Sequence, residues 1–126
     1  MEEAFKELEK RIEKLENHFQ RSPKMVDEVT QVIKGKTLIW GKCAEEKMNW
    51  EDAKEWCEAQ GEGWRLPTRV ELLQAYEDKE VGGIFQSYSY WSATEYSATN
   101  AYYVTFGNGY TYYYLKNNSN YVRVVK

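Results

Sequence analysis

Nine of the eleven tyrosines in this 126-residue chain fall within residues 87–115, and the chemistry they offer is recognition. That segment reads SYSYWSATEYSATNAYYVTFGNGYTYYYL. It holds one charged residue, Glu95, in a chain that is 29% charged. Tyr supplies large amphipathic contact area with only two χ angles to immobilise, and Ser, Gly and Asn supply adaptable hydrogen bonds. The mixture occupies an alternating, strand-like stretch, so it reads as a binding face laid on a sheet.

Residues that could carry catalysis are sparse. Cys43 and Cys57 lie outside the tyrosine segment, one after a strand and one on a helix face. No paired carboxylates and no His-containing triad are present. His18, the single histidine, has no metal cluster to join and reads as a solvated surface residue. A calcium site needs clustered carboxylates and amides, and Glu95 and Asn100 stand nearly alone. We therefore expect no enzyme, no catalytic residue, no cofactor and no metal. The two cysteines make no secreted-type disulfide framework. Free buried thiols are the preferred reading over a bridge between them.

Composition narrows the partners. The net charge is −3, with no basic cluster beside the aromatics, which argues against nucleic acid. No apolar run is long enough to cross a membrane. The N-terminus, MEEAFKELEK, is acidic and amphipathic, unlike a secretory signal peptide.

The elements that position the tyrosines follow from local signals. Phe5, Leu8, Ile12, Leu15 and Phe19 step by three and four, which predicts a helix over residues 2–21, about 30 Å long. That seam suits packing on its own domain or a short coiled coil that joins copies into a homo-oligomer. Residues 1–22 are thus set apart from a domain over 23–126. Residues 25–33 (MVDEVTQVI) fit a helical stripe or a β-branched strand. Thr37–Trp40 reads as a short buried strand. Asn49 caps a helix over 50–60 that buries Ala53, Trp56 and Cys57 and closes at Gly61. Thr68 and Glu71 form a capping box for a helix whose apolar face is Leu72, Leu73 and Tyr76. After Gly82-Gly83 the chain reads as strands and turns. The pleat sends Tyr102, Val104 and Phe106 to the core and Tyr103, Thr105 and Gly107 to the other side. Asn108-Gly109 signals a hairpin, Tyr110, Tyr112 and Tyr114 follow on one face, and residues 121–125 form the closing strand.

The strings TLIWGKC, NWEDAKEWC, GWRLPTRVELL, YWSAT and YVRVV together resemble the C-type-lectin-like domains related to the formylglycine-generating enzyme fold. The resemblance spans about residues 36–126. It is greatest to the variable proteins of diversity-generating retroelements, such as the phage major tropism determinant, and the chain is also similar to the C-terminal domain of collagen-like adhesins. It implies an α+β, C-type lectin-like fold, with two helices packed on a small antiparallel sheet behind the N-terminal helix. It also implies a ligand-binding protein whose tyrosine-rich face is diversified by adenine mutagenesis. The partner would be a protein or surface ligand, and the place a virion or cell surface. A fixed-specificity adhesin or a carbohydrate-binding module is the alternative.

The retroelement resemblance carries a codon rule. Randomising the first two bases before a fixed pyrimidine cannot give Lys, Glu, Gln, Trp or Met. Between residues 87 and 115 only Trp91 and Glu95 belong to that set, and both sit where the family has scaffold. Carried over residue by residue, the diversified candidates are Tyr96, Ala98, Thr99, Tyr103, Thr105, Gly107, Tyr110, Tyr112, Tyr113, Tyr114 and Leu115. Ser87, Ser89, Ser97 and Asn100 are weaker ones. Related adhesin domains often carry a cysteine where this chain has Val124, so a disulfide to the closing strand is excluded.

From the residues alone, Trp64, Leu66 and Trp91 read as core anchors. Arg65 reads as a half-buried hydrogen-bonding hub. Asn117–Asn120 reads as a loop held by side chain–backbone bonds.

Overall fold

The computed structural model describes residues 28–126, and the helix expected over 2–21 lies outside them. The β-branched content of residues 29–33 prevails over the helical spacing: Val29–Ile33 is strand β1. It turns through Lys34 and Gly35, both at positive φ (49° and 81°), into β2 (Lys36–Cys43). Two consecutive left-handed residues match the right-handed twist of the flanking strands, which makes this a tight hairpin. The expected strand over 37–40 is therefore longer. It bends between Trp40 and Cys43 and pairs there with the last strand, Arg123–Val125.

Helix α1 spans Trp50–Glu58, with the Asn49 side chain accepting from the Asp52 N–H at 2.8 Å. Helix α2 spans Arg69–Glu77 behind the Thr68–Glu71 capping box. Asp78 closes α2, and its side chain caps the single turn α3 (Lys79–Gly82). Strands β3 (Ser89–Glu95), β4 (Asn100–Thr105) and β5 (Thr111–Leu115) follow, and Arg123–Val125 is β6. The strands form two antiparallel sheets, β1-β2-β6 and β3-β4-β5, where the sequence suggested one.

Two buried clusters hold these elements. Leu38, Trp40, Leu72, Val81, Phe85, Tyr90, Val104 and Phe106 form the first. Trp50, Ala53, Cys57, Leu66, Trp91, Ala101, Val122 and Val124 form the second. Three buried indoles donate inward: Trp40 to Gln31 Oε1, Trp50 to the Ser92 carbonyl and Trp91 to the Met48 carbonyl, each at 2.9 Å. A buried indole needs such a partner, and each bond ties one element to another. Trp64 packs on Gly41, where a Cβ would come within 2.7 Å of its ring. Trp64 and Trp56 are half-buried rather than buried.

Two arginines of the scaffold are held differently. Arg65 makes a two-pronged pair with Glu71 at 2.9 and 2.8 Å, as expected of a hub. Arg123 is buried and donates to the carbonyls of Gly41 and Ile84. Both cysteines are free.

Candidate functional site

The tyrosine segment builds the β3-β4-β5 sheet, and its exposure rises toward the edge strand. Strand β4 is central, pairing Trp91 with Tyr103 on the β3 side and Tyr103 with Tyr112 on the β5 side. Both faces of the sheet meet core near β3: Val104 and Phe106 enter the first cluster, Trp91 and Ala101 the second. Among the described residues strand β5 has β4 as its one partner, and side chains on both of its faces reach solvent.

The tyrosines thus lie on both sides of the sheet, where the sequence suggested one binding face. Cross-strand pairing puts Tyr103, Tyr112 and Tyr114 on one side of the sheet. It puts Tyr102, Tyr113 and Leu115 on the other. The pleat was read correctly, yet Tyr102 is half-exposed and not core. Beyond Val104 the sheet runs out over α2, and the Arg69 guanidinium covers the Tyr102 ring at 4.2 Å.

Aromatic contacts join the two sides around the edge. Tyr96 and Tyr113 stack with centroids 3.8 Å apart, and Tyr112 stacks on Tyr113 at 4.4 Å. Tyr110 lies 6.2 Å from Tyr112, and Tyr102 meets Tyr96 edge-on at 5.8 Å. Tyr103 and Tyr114 meet edge-on at 5.9 Å, with Trp91 beneath Tyr114 at 6.4 Å. The result is a ridge of tyrosines wrapped around β5. Hydrogen bonding to Tyr112 and Tyr96 holds the Tyr113 hydroxyl protonated well above the usual phenol range. Burial and the neighbouring Tyr110, Tyr114 and Tyr112 also raise Tyr103. At neutral pH these groups are donors as well as acceptors.

The other candidates sit at the two ends of the ridge. Ala98 and Thr99 lie in the β3–β4 turn, where Ser97 Oγ accepts from the N–H groups of Thr99 and Asn100. Lys116 ties this turn to the scaffold, bonding Glu95 at 2.6 Å and the Ala98 carbonyl at 3.0 Å. At the opposite end Gly107 lies in the β4–β5 turn, and Thr105 Oγ1 bonds Ser89 Oγ at 2.8 Å. That turn is pinned by Gly109, at φ 78°, where a Cβ would come within 2.5 Å of the Tyr76 ring. Tyr96, Ala98, Thr99, Gly107, Tyr110, Tyr112, Tyr114 and Leu115 are exposed; Tyr103, Thr105 and Tyr113 are half-buried; none of the diversified candidates is buried.

Sequence reasoning missed the fixed residues bordering this surface. Arg69 and Tyr102 were assigned to helix and core. Lys116 carried no signal for its bond across the β3–β4 turn. The 117–120 loop is held by backbone bonds, Asn118 N–H to Leu115 and a reciprocal pair between Met48 and Asn120, rather than by its own side chains. Among the described residues no three of His, Cys, Asp and Glu gather as a metal site. No described helix is long and apolar enough to cross a membrane.

The family model described as the Lcl C-terminal domain matches residues 32–126. Among solved structures, the crystal structure of botrocetin aligns with a TM-score of 0.57 at 12% identity, covering 82% of this chain and 98% of that one. At that identity the likeness shows the fold, which is C-type lectin-like. No match to a curated protein reaches significance.

Proposed function

The chain belongs to the Lcl C-terminal domain family, and from that premise we propose a ligand-binding domain whose tyrosine ridge is a diversified recognition surface. The observation that carries the proposal is the agreement between the positions assigned as variable and their exposure. Every residue allowed by adenine mutagenesis and assigned as variable is exposed or half-buried. Trp91, which the same rule forbids, is fully buried, and the other forbidden residue, Glu95, anchors Lys116. A surface with interchangeable side chains on a buried frame can change its ligand and keep its fold.

The ridge also has the physical makeup of a binder. Tyr88, Tyr96, Tyr110, Tyr112, Tyr114 and Leu115 are large apolar side chains left between 41% and 53% exposed. Contiguous exposed aromatic area of this kind marks an interaction site. The mechanism is adhesive: the rings bury against a partner while their hydroxyls satisfy polar groups at the rim.

Two experiments test this. The coding locus is expected to carry a near-copy of the 3′ coding region that differs at adenines, beside a reverse transcriptase gene. A displayed library randomised at the eleven candidate positions is expected to stay mostly protease-resistant and to yield binders to unrelated targets. A library that is mostly unfolded, or a locus with no such repeat and an invariant ridge across isolates, would favour the fixed-specificity adhesin.

A further inference from the structure

The β3-β4-β5 sheet has two outer edges, and they differ. The edge of β3 is closed by other parts of the chain. The Trp91 N–H donates to the Tyr121 carbonyl and the Tyr121 N–H to the Ser89 carbonyl, both at 3.0 Å, and the Ala93 N–H donates to the Pro67 carbonyl at 2.7 Å. The edge of β5 is open. Bonded and unbonded pairs alternate along an antiparallel ladder. At the two ends of this one, the Thr105 N–H donates to the Tyr110 carbonyl and the Lys116 N–H to the Thr99 carbonyl, both at 2.8 Å, and the register between them is unbroken. Tyr112 and Tyr114 therefore direct their backbone groups to β4, and Thr111, Tyr113 and Leu115 turn theirs outward. The Leu115 carbonyl accepts from the Asn118 N–H at 3.0 Å. Among the described residues, the N–H groups of all three and the carbonyls of Thr111 and Tyr113 have no backbone partner.

Edge strands are ordinarily guarded by Lys, Pro or a bulge, which stop other chains from pairing with them. Strand β5 reads TYYYL in an unbroken register and has none of these. The next residue, Lys116, has its amine on Glu95 and the Ala98 carbonyl. A row of donors and acceptors repeating at strand spacing, about 7 Å between like-facing residues, complements another extended backbone. Side chains flank the row on both faces, Tyr112 and Tyr114 on one and Tyr113 and Leu115 on the other. A strand laid along β5 meets rings on alternate sides, the arrangement in which aromatic cross-strand pairs form. With no charge on β5, these rings suit apolar and aromatic side chains.

We propose that β5 captures its ligand by strand addition: an extended segment of a protein partner, rich in apolar and aromatic side chains, pairs with the outward backbone of Thr111, Tyr113 and Leu115 and lengthens the sheet by one strand. This rests on the reading of the ridge as a recognition surface. It divides recognition between backbone and side chains. The main-chain bonds supply an affinity common to nearly every sequence of β5, because every residue but Pro carries both groups. The side chains of Tyr112, Tyr113, Tyr114 and Leu115, all diversified candidates, supply the choice of ligand.

The test uses the full chain labelled with 15N and peptides selected on it from a library of random linear dodecapeptides. In the free protein the Tyr112 and Tyr114 amides should exchange slowly with solvent and those of Thr111 and Tyr113 fast. The tightest peptide should slow exchange at Thr111 and Tyr113 by at least about tenfold. N-methylation along the peptide should show a period of two: alternate positions weaken binding about tenfold, and those between them leave it unchanged. Tyr113→Pro removes an outward N–H and keeps the ladder to β4, so it should bind about tenfold more weakly than Tyr113→Ala, which removes the ring alone. If Tyr113→Pro does not fold, the methylated peptides decide. The proposal is overturned by a library that yields no binder, by peptides that protect neither amide, by methylation without the period of two, or by equal affinity in the folded variants. It is also overturned if the Thr111 and Tyr113 amides are already slow in the free chain, because a second copy then holds the edge. Those results leave the ridge to bind folded targets through its side chains alone, whereas a ridge library that does not fold removes the recognition reading itself.

Discussion

Tyr96 and Tyr113 lie face to face, their ring centroids 3.8 Å apart and their planes 5° from parallel, although one opens the β3–β4 turn and the other sits on the edge strand. The contact joins the β3–β4 turn to the edge strand before any ligand is present. Aromatic pairs of this kind contribute about 0.5–1.5 kcal/mol each, so the ridge is a partly ordered surface rather than a loose fringe.

Replacing Tyr103, Tyr110, Tyr112 and Tyr114 together with Ser is expected to lower the melting temperature and leave unfolding cooperative. Exposed substitutions shift stability by about 0.5 kcal/mol, with lost ring pairs adding to that. Circular dichroism on heating checks it. A non-cooperative melt would mean these rings are core.

Trp91→Ala is expected to cost about 3–5 kcal/mol, because it empties a fully buried site and leaves the Met48 carbonyl without its indole donor. Urea titration reads the loss. A well-folded Trp91→Ala protein with a binding defect would instead place Trp91 in the site.

Acid should loosen the Arg65–Glu71 pair. Burial raises the Glu71 carboxyl, but the hydrogen bonds from Arg65 and the Thr68 N–H outweigh it, and the net shift is below the ordinary 4.5. A carboxyl lowered on folding stabilises the protein above its unfolded pKa and loses that contribution as pH falls through the folded one. Stability measured by urea should thus decline below about pH 4.5, and Glu71→Gln should be less stable at pH 7 with a flatter acid dependence. Equal acid slopes in the two proteins would remove Glu71 from the account.

Cys57 is fully buried, and burial followed by the nearby Glu58 pushes its thiol up to about 12. The thiolate is the reactive form. At pH 8 the native protein should therefore leave Cys57 unlabelled by a thiol reagent, with full labelling in urea. Peptide mapping after alkylation separates it from the half-buried Cys43.

Deleting residues 1–21 is expected to leave a cooperative domain, since among the described residues the buried members of both clusters are residues 38 and later. Light scattering should show a smaller assembly than the full chain if the Phe5–Phe19 seam joins copies, which would add avidity to a weak face. An unfolded truncation would assign the seam to the domain's own packing.

Where the sequence was legible, local chemistry was decisive. Asn49, Thr68 and Glu71 announced their helices because capping is satisfied within three residues. Alternation along β4 was correct because the pleat is a local period. What escaped was set by distant packing. Tyr102 leaves the core because the sheet ends over Arg69, which no spacing records. Gly41 must lack a side chain because Trp64, more than twenty positions away, packs against it. Asn120 looked like ordinary loop polarity, and its burial comes from a backbone pair with Met48. The spread of tyrosines around β5 was hidden for the same reason, because edge position is a property of topology.

The edge position of β5 limits the cost of novelty. A strand between two neighbours must suit both, so an ill-fitting residue disturbs two ladders at once. Residues on β5 answer to β4 alone and turn both faces to solvent. An unsuitable side chain there forfeits a little local pairing and leaves the buried clusters untouched. The share of random sequences that still fold is thereby kept high. A surface diversified here, as proposed above, would lose few of its variants to misfolding.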